Sequence, residues 1–280
     1  MRKVDVTEIT KNVKEMCIEA NHVLARDMEQ VFNLAVKEEE SPLGRQVLGQ
    51  LKENLKIAAE DMIPICQDTG MAVVFIKVGQ DVHITGGSLT GAVNEGVKRG
   101  YEEGYLRKSV VGDPIQRINT KDNTPAVIHY EIVEGDAVDI TVAPKGFGSE
   151  NMSRVFMLKP ADGLEGVKNA IITAVRDAGP NACPPMVIGV GIGGTLEKCT
   201  QMAKHALTRN IEEKPKIPWV KELEQELLAA INQLGIGPGG LGGRMTELAV
   251  NIETFATHIE GLTVAVNICC HVNRHAKRVL

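Results

Sequence analysis

Four short segments of this 280-residue chain carry the residue types that chemistry needs. Pro64-Ile65-Cys66-Gln67-Asp68-Thr69-Gly70 puts a thiol, an amide, a carboxylate and a hydroxyl side by side and closes on a glycine. That density suits a loop that binds a metal or moves a proton. It equally suits a helix cap, with Asp68 or Thr69 satisfying backbone groups and Cys66 in the core. Gly179-Pro180-Asn181-Ala182-Cys183-Pro184-Pro185 sets a cysteine before two prolines, a stiff backbone with few donors. It would mount a thiolate ligand rigidly or bury an inert thiol. Asn267-Ile268-Cys269-Cys270-His271-Val272-Asn273-Arg274-His275 holds two cysteines and two histidines. Successive side chains on extended backbone point oppositely, so Cys269 and Cys270 do not readily share one ion, and the residues alone leave either as the ligand. Lys145 to Ser153 (KGFGSENMS) offers flexible backbone donors beside a cation, a cradle for a carboxylate or phosphate or a plain loop.

Six cysteines occur without a Cys-x-x-Cys pair, which excludes zinc ribbons and thioredoxin-like sites. Cys17 and Cys199 fall within predicted helices and are assigned to the core. Any metal site must therefore draw on distant segments. Gly189-x-Gly191-x-x-Gly194 has the spacing of a dinucleotide fingerprint, and Glu212 and Glu213 follow about 20 residues on. The helix after it runs into Lys-Pro-Lys-Ile-Pro-Trp, however, with no evident second parallel strand, so these glycines are expected to make a tight strand-to-helix turn.

The elements that must position these groups follow from periodicity. Apolar spacing predicts helices from residue 7 to about 60, the third opened by Ser41-Pro42. Strands are expected over 71–78 and 82–85, a helix over 88–106, and a hairpin of 126–133 and 137–144 turning at Glu134-Gly135-Asp136. Further helices are expected near 165–178, 195–207 and 218–233, a buried strand at 185–192, and a last strand at 262–268 after the glycine-rich run 235–243. This is a mixed α/β pattern: a helical N-terminal segment (1–60) packed on an α/β body (61–280), read as one region.

Composition narrows the function. A hydrophobic fraction of 43% and a charged fraction of 24% belong to a globular protein. At roughly 150 residues per domain the length allows one large domain or two modest ones. A net charge of −5 supplies no basic field for nucleic acid or an anionic membrane, and 3% aromatics is too few for stacking platforms. The N-terminal MRKVDVTEITKNVKEM lacks the apolar core of a signal peptide, and a cytoplasmic protein is expected.

Taken together, CQDTG, GYLRKSVV at 104–111, KGFGSENMS, GPNACPP, GIGPGGLGG, and HIEGLTVAVN leading into Cys-His-x-x-Arg resemble the α-subunit of the oxygen-sensitive class I fumarate hydratases, a family that includes the L-tartrate dehydratase α-subunits. The motifs run in order along the chain. The resemblance implies a [4Fe–4S] cluster on Cys66, Cys183 and Cys270, with Cys270 taken over Cys269 because the family's ligand directly precedes the run toward arginine. Three thiolates leave one iron open to act as a Lewis acid on substrate. By the same resemblance Asp68 is the acid and Gln67 contacts substrate. Arg107 clamps a carboxylate, His258 orients the substrate, and Gly146 and Gly148 give backbone donors. From the residues alone, Arg107 would be a solvated charge and His258 an ordinary loop histidine.

Single-chain members of that family are longer, and their C-terminal domain carries further basic contacts and the threonine assigned as base. The resemblance thus implies a separate β-subunit and an α–α contact in a heterotetramer. The activity implied is hydration of fumarate to L-malate, with L-tartrate dehydration as the alternative. Two other classes are a non-catalytic iron–sulfur electron carrier or oxygen sensor, against which the lack of a fourth well-placed cysteine counts, and a nicotinamide dehydrogenase.

Overall fold

A computed structural model describes residues 1–280. In chain order the elements are β1 (Arg2–Asp5), α1 (Val6–His22), α2 (Arg26–Glu38), α3 (Pro42–Asp61), β2 (Met71–Gly79), β3 (Val82–Thr85), α4 (Leu89–Glu103), β4 (Val127–Val133) and β5 (Val138–Lys145). They continue with α5 (Phe147–Glu150), β6 (Arg154–Leu158), α6 (Gly163–Ala178), β7 (Met186–Gly193), α7 (Leu196–Ala206), α8 (Pro218–Asn232), β8 (Glu247–Phe255), β9 (Leu262–Cys269) and β10 (Ala276–Val279). The chain forms two compact units. The first comprises Met1–Ala25, Leu55–Phe147 and Arg274–Leu280, and the second Arg26–Asn54 and Gly148–Asn273.

In the first unit, α1 and α4 pack on a sheet of order β10-β5-β2-β4, around Ile9, Val13, Val74, Ile76, Val97 and Ile140. Asp5 starts α1 by accepting the Thr7 N–H at 2.9 Å, and Ser88 starts α4 by accepting the Gly91 N–H at 3.2 Å. The expected hairpin does not form. β2 lies between β4 and β5, parallel to the first and antiparallel to the second. The chain leaving β2 occupies the Glu134-Gly135-Asp136 turn: Gln80 donates to the Val133 carbonyl, Asp81 to that of Gly135 and Gly79 to that of Ala137. A turn signal between two strand-like runs shows that the chain reverses, and does not show whether a third strand fits between them.

The second unit is a sheet of order β6-β9-β7-β8 covered on one face by α6 and α8. On the other face α7 packs against it through Cys199 and Ala203. β7 is buried along its whole length, which is why its sequence is a continuous apolar and glycine run. A parallel strand does follow it: β8 pairs in parallel with β7 across the crossover through α7 and α8. The glycines also differ from expectation. Only Gly193 and Gly194, at φ +89° and +69°, make the turn. Gly189 and Gly191 lie inside β7, where an added Cβ would come within 2.0 Å of the Ala203 carbonyl oxygen and 2.1 Å of that of Cys199. Their function is to let α7 lie close on the sheet. β1, β6, β8 and β10 were not expected; each lies at a sheet edge or in a two-stranded pair, all are short except β8, and β8 follows the glycine run without a clear break.

Glu39, fully buried just after α2, ties that corner to the end of the glycine-rich run. Its carboxylate accepts the N–H groups of Ser41 at 2.8 Å, Arg244 at 2.9 Å and Met245 at 2.7 Å. Burial pushes its proton affinity up, but the N–H groups of Met245, Arg244, Ser41 and Glu40 together outweigh burial and hold the carboxyl below its usual range. A carboxyl lowered on folding contributes stability that is present above its unfolded value and lost as pH falls through its folded value. Glu39→Gln should therefore cost about 2–3 kcal/mol at neutral pH, and the gap to wild type should close at acid pH below the ordinary carboxylate range, near 4. Thermal melts of both proteins across that range check this; equal melting temperatures at pH 7 would contradict it.

Candidate active site

In the first unit the Cys66–Gly70 loop joins α3 to β2 and is fastened from several directions. The Cys66 Sγ accepts the Asp68 N–H at 3.4 Å and lies 3.3 Å from the Gln67 Oε1. Asp68 Oδ1 accepts the Gly70 N–H at 2.9 Å, and its Oδ2 accepts the Phe147 N–H, also at 2.9 Å. Both carboxylate oxygens are thus aimed by backbone. Arg274, buried, donates through Nη2 to the Asp68 carbonyl and through Nε to the Pro144 carbonyl at 3.4 Å. Buried Tyr101 donates its hydroxyl to the Thr69 carbonyl at 2.7 Å, and buried Asn123 donates to that of Gly70 at 3.1 Å. Gly70, at φ +75°, has room for no side chain: a Cβ would sit 2.7 Å from the Lys145 nitrogen.

That close approach brings Lys145 and Gly146 beside the loop, and a Cβ at Gly146 would lie 3.1 Å from Asp68 Oδ2. Thr69 donates to the Arg107 carbonyl at 3.0 Å, which fixes the Arg107 backbone next to the same loop and leaves its side chain exposed. The first unit therefore gathers Cys66, Gln67, Asp68, Arg107 and Gly146. The helix-cap reading of Asp68 is half right, since the side chain does satisfy backbone N–H groups, although the helix involved is the short α5 that replaces the expected loop at 147–150.

In the second unit, Cys183 closes a 3-10 turn (Gly179–Ala182) in the left-handed region, at φ 55° and ψ 64°, and is exposed. Its carbonyl accepts the His271 N–H at 3.5 Å, and His271 Nδ1 lies 3.1 Å from the same oxygen. The GPNACPP segment and the Cys270-His271 segment are thus neighbours. The glycine-rich run supports the first of them: Gly239 donates to the Pro184 carbonyl at 2.8 Å. Gly148 and His258 are exposed in this unit, and His258 Nδ1 accepts the Glu260 N–H at 3.2 Å.

The six cysteines divide by environment. Cys66 and Cys270 are half-buried and Cys183 is exposed, whereas Cys17, Cys199 and Cys269 are buried. Burial pushes the Cys17 thiol up to about 12 and the Cys199 thiol up to about 11, so neither is disposed to be a thiolate. The cysteine residues that solvent reaches are Cys66, Cys183 and Cys270. No group of three or more His, Cys, Asp or Glu side chains is drawn together closely enough to hold a metal ion. Arg274, Tyr101 and Asn123 carry no role in the sequence reading. Only Arg274 had a signal, its place in the Cys-His-x-x-Arg run; the other two act through tertiary contacts that spacing does not reveal.

Comparison with known proteins places these segments in context. The model of the family described as fumarate hydratase (fumerase) matches residues 10–279. The chain is similar to a Methanocaldococcus jannaschii protein provisionally named L(+)-tartrate dehydratase subunit alpha, with 40% identity over 97% of this chain and 98% of that protein. It is also similar to the L(+)-tartrate dehydratase subunit alpha of Escherichia coli K12, with 32% identity over 84% of this chain and 78% of that protein. The same identity and coverage relate it to the subunit of the same name from Shigella sonnei.

Proposed function

Because the chain belongs to the fumarate hydratase (fumerase) family, we propose that it is the iron–sulfur α-subunit of a two-subunit hydro-lyase that interconverts fumarate and L-malate. One observation carries the reading: of six cysteines, the three whose residues solvent reaches are the three that the family motifs single out, Cys66, Cys183 and Cys270. Their donor chemistry fits a [4Fe–4S] cluster, since thiolates on stiff or multiply bonded loops are the ligands such a cluster takes. Cys66, Cys183 and Cys270 would hold such a cluster, which would leave one iron without a protein ligand to act as a Lewis acid toward substrate hydroxyl and carboxylate.

The chain's own residues do the rest. Arg107 presents an exposed guanidinium that pairs with a substrate carboxylate through two parallel N–H donors. Gln67 and the backbone N–H groups near Gly146 and Gly148 hydrogen-bond the substrate, and His258 orients it. Asp68 delivers a proton to the departing hydroxyl, and the backbone bonds to both its oxygens hold that carboxyl in one orientation. The names of the relatives as alpha subunits support a partner β-subunit, which in this reading supplies the base. No helix is long and apolar enough to cross a membrane.

A second reading changes only the substrate. The relatives' names favour L-tartrate, which differs from L-malate by one hydroxyl. The test is kcat/KM of the chain assembled anaerobically with its β-subunit, on fumarate, L-malate and both tartrates. Fumarate and L-malate should exceed either tartrate by about 100-fold, because a site shaped for one hydroxyl must leave the second poorly paired. A preference for L-tartrate would install the second reading, and turnover of none would overturn the hydro-lyase assignment.

A further inference from the structure

β4 ends the sheet of the first unit, with β2 on one side and no strand on the other. Its sequence, Val127-Ile128-His129-Tyr130-Glu131-Ile132-Val133, has the same chemical pattern in both directions about Tyr130. The pairing with β2 fixes which backbone groups face outward. In a parallel pair both polar groups of a residue point to the same neighbour, and successive residues alternate. The Val133 carbonyl accepts the Gln80 N–H at 2.8 Å on the β2 side. Residues 127, 129, 131 and 133 therefore face β2, and Ile128, Tyr130 and Ile132 turn their N–H and C=O groups to the outer edge.

We propose that this edge recognises itself: the sheet of one chain continues through β4 into the β4 of a second copy, antiparallel about a two-fold axis at Tyr130. In that register Tyr130 faces Tyr130 of the partner subunit, and Ile128 faces the partner's Ile132. These are the outward-facing residues, so each pair exchanges both hydrogen bonds. His129 then lies opposite the partner's Glu131, at the positions between those bonded pairs, where opposed side chains come closest. Both of these side chains are already set on one face, His129 stacked on Phe75 at 5.0 Å and Glu131 paired with Lys77 at 3.7 Å. A one-residue shift would oppose unlike backbone parities and lose the bonds, and a two-residue shift would keep bonds but undo the Ile128–Ile132 and His129–Glu131 oppositions, so the side-chain pattern favours the register centred on Tyr130. The edge also exposes Ile132 at 78%, Tyr130 at 45% and Val127 at 40%, apolar surface of a kind that unpartnered edges ordinarily avoid. An isologous contact of this form closes at two copies. The inference stands independently of the proposed reaction.

The test uses the full chain and two variants of one residue. His129→Lys sets a cation opposite Glu131, and His129→Glu opposes two carboxylates, while both lose the same stack on Phe75. Sedimentation should give a wild-type dimer. His129→Glu should raise the dimer Kd about tenfold or more over His129→Lys, because the altered pair occurs twice. Hydrogen exchange should protect the Ile128, Tyr130 and Ile132 amides in wild type and expose them in His129→Glu. A wild-type chain that is monomeric at about 0.1 mM, equal Kd for the two variants, or unprotected amides in a dimer would each overturn the proposal.

Discussion

Purified alone, with its iron restored under anaerobic conditions, the chain should turn over L-malate at least about a thousandfold more slowly than when combined with its β-subunit. The effect is large because the groups of such a site act as a unit. In the proposed assignment this chain holds the Lewis acid, an acid at Asp68 and a clamp at Arg107, while the group that removes the carbon-bound proton belongs to the partner. Losing one member of a set held in near-attack geometry costs far more than one contact's share of binding. Substrate should still bind the isolated chain, weakly, through the groups that remain. The check is a steady-state malate assay on iron-replete chain with and without the partner. Comparable rates in the two samples would place the base within these 280 residues and overturn the division of roles.

What the sequence revealed, and what it concealed, follows from the range of the forces involved. Helices with strong apolar periodicity, such as α1 (Val6–His22) and α6 (Gly163–Ala178), were legible to within a few residues, as was the buried run of β7. Strand pairing was not. The approach of β2 between β4 and β5 depends on a nine-residue strand some fifty residues upstream, and no local turn signal encodes it. The fingerprint-like glycines misled for a related reason: Gly189 and Gly191 are small because α7 lies against them, a tertiary demand that imitates a turn motif. At the candidate site, the segments rich in thiols and carboxylates stood out because polar density in a loop is itself unusual. The residues that hold those segments, Tyr101, Asn123 and Arg274, did not. Their side chains reach backbone carbonyls far away in the sequence, and apart from the place of Arg274 in the Cys-His-x-x-Arg run nothing beside them advertises it.

The second large effect concerns the three solvent-reachable cysteines. Cys66 already accepts a backbone N–H at its sulfur, Cys183 sits on a fixed left-handed turn, and Cys270 adjoins the His271 that contacts the Cys183 carbonyl. Replacing any one thiolate by a hydroxyl removes a soft ligand that iron–sulfur clusters require, so loss should be near complete and not proportional. Cys17 and Cys199, buried with thiols raised to about 12 and about 11, serve as internal controls whose replacement by alanine should change stability but not iron. Measuring iron and acid-labile sulfide per chain after anaerobic reconstitution tests the central claim most directly. The account predicts about four irons in wild type, Cys17→Ala and Cys199→Ala, and almost none retained in Cys66→Ser, Cys183→Ser or Cys270→Ser. Full iron in the Cys183→Ser protein, or no iron in wild type, would contradict it.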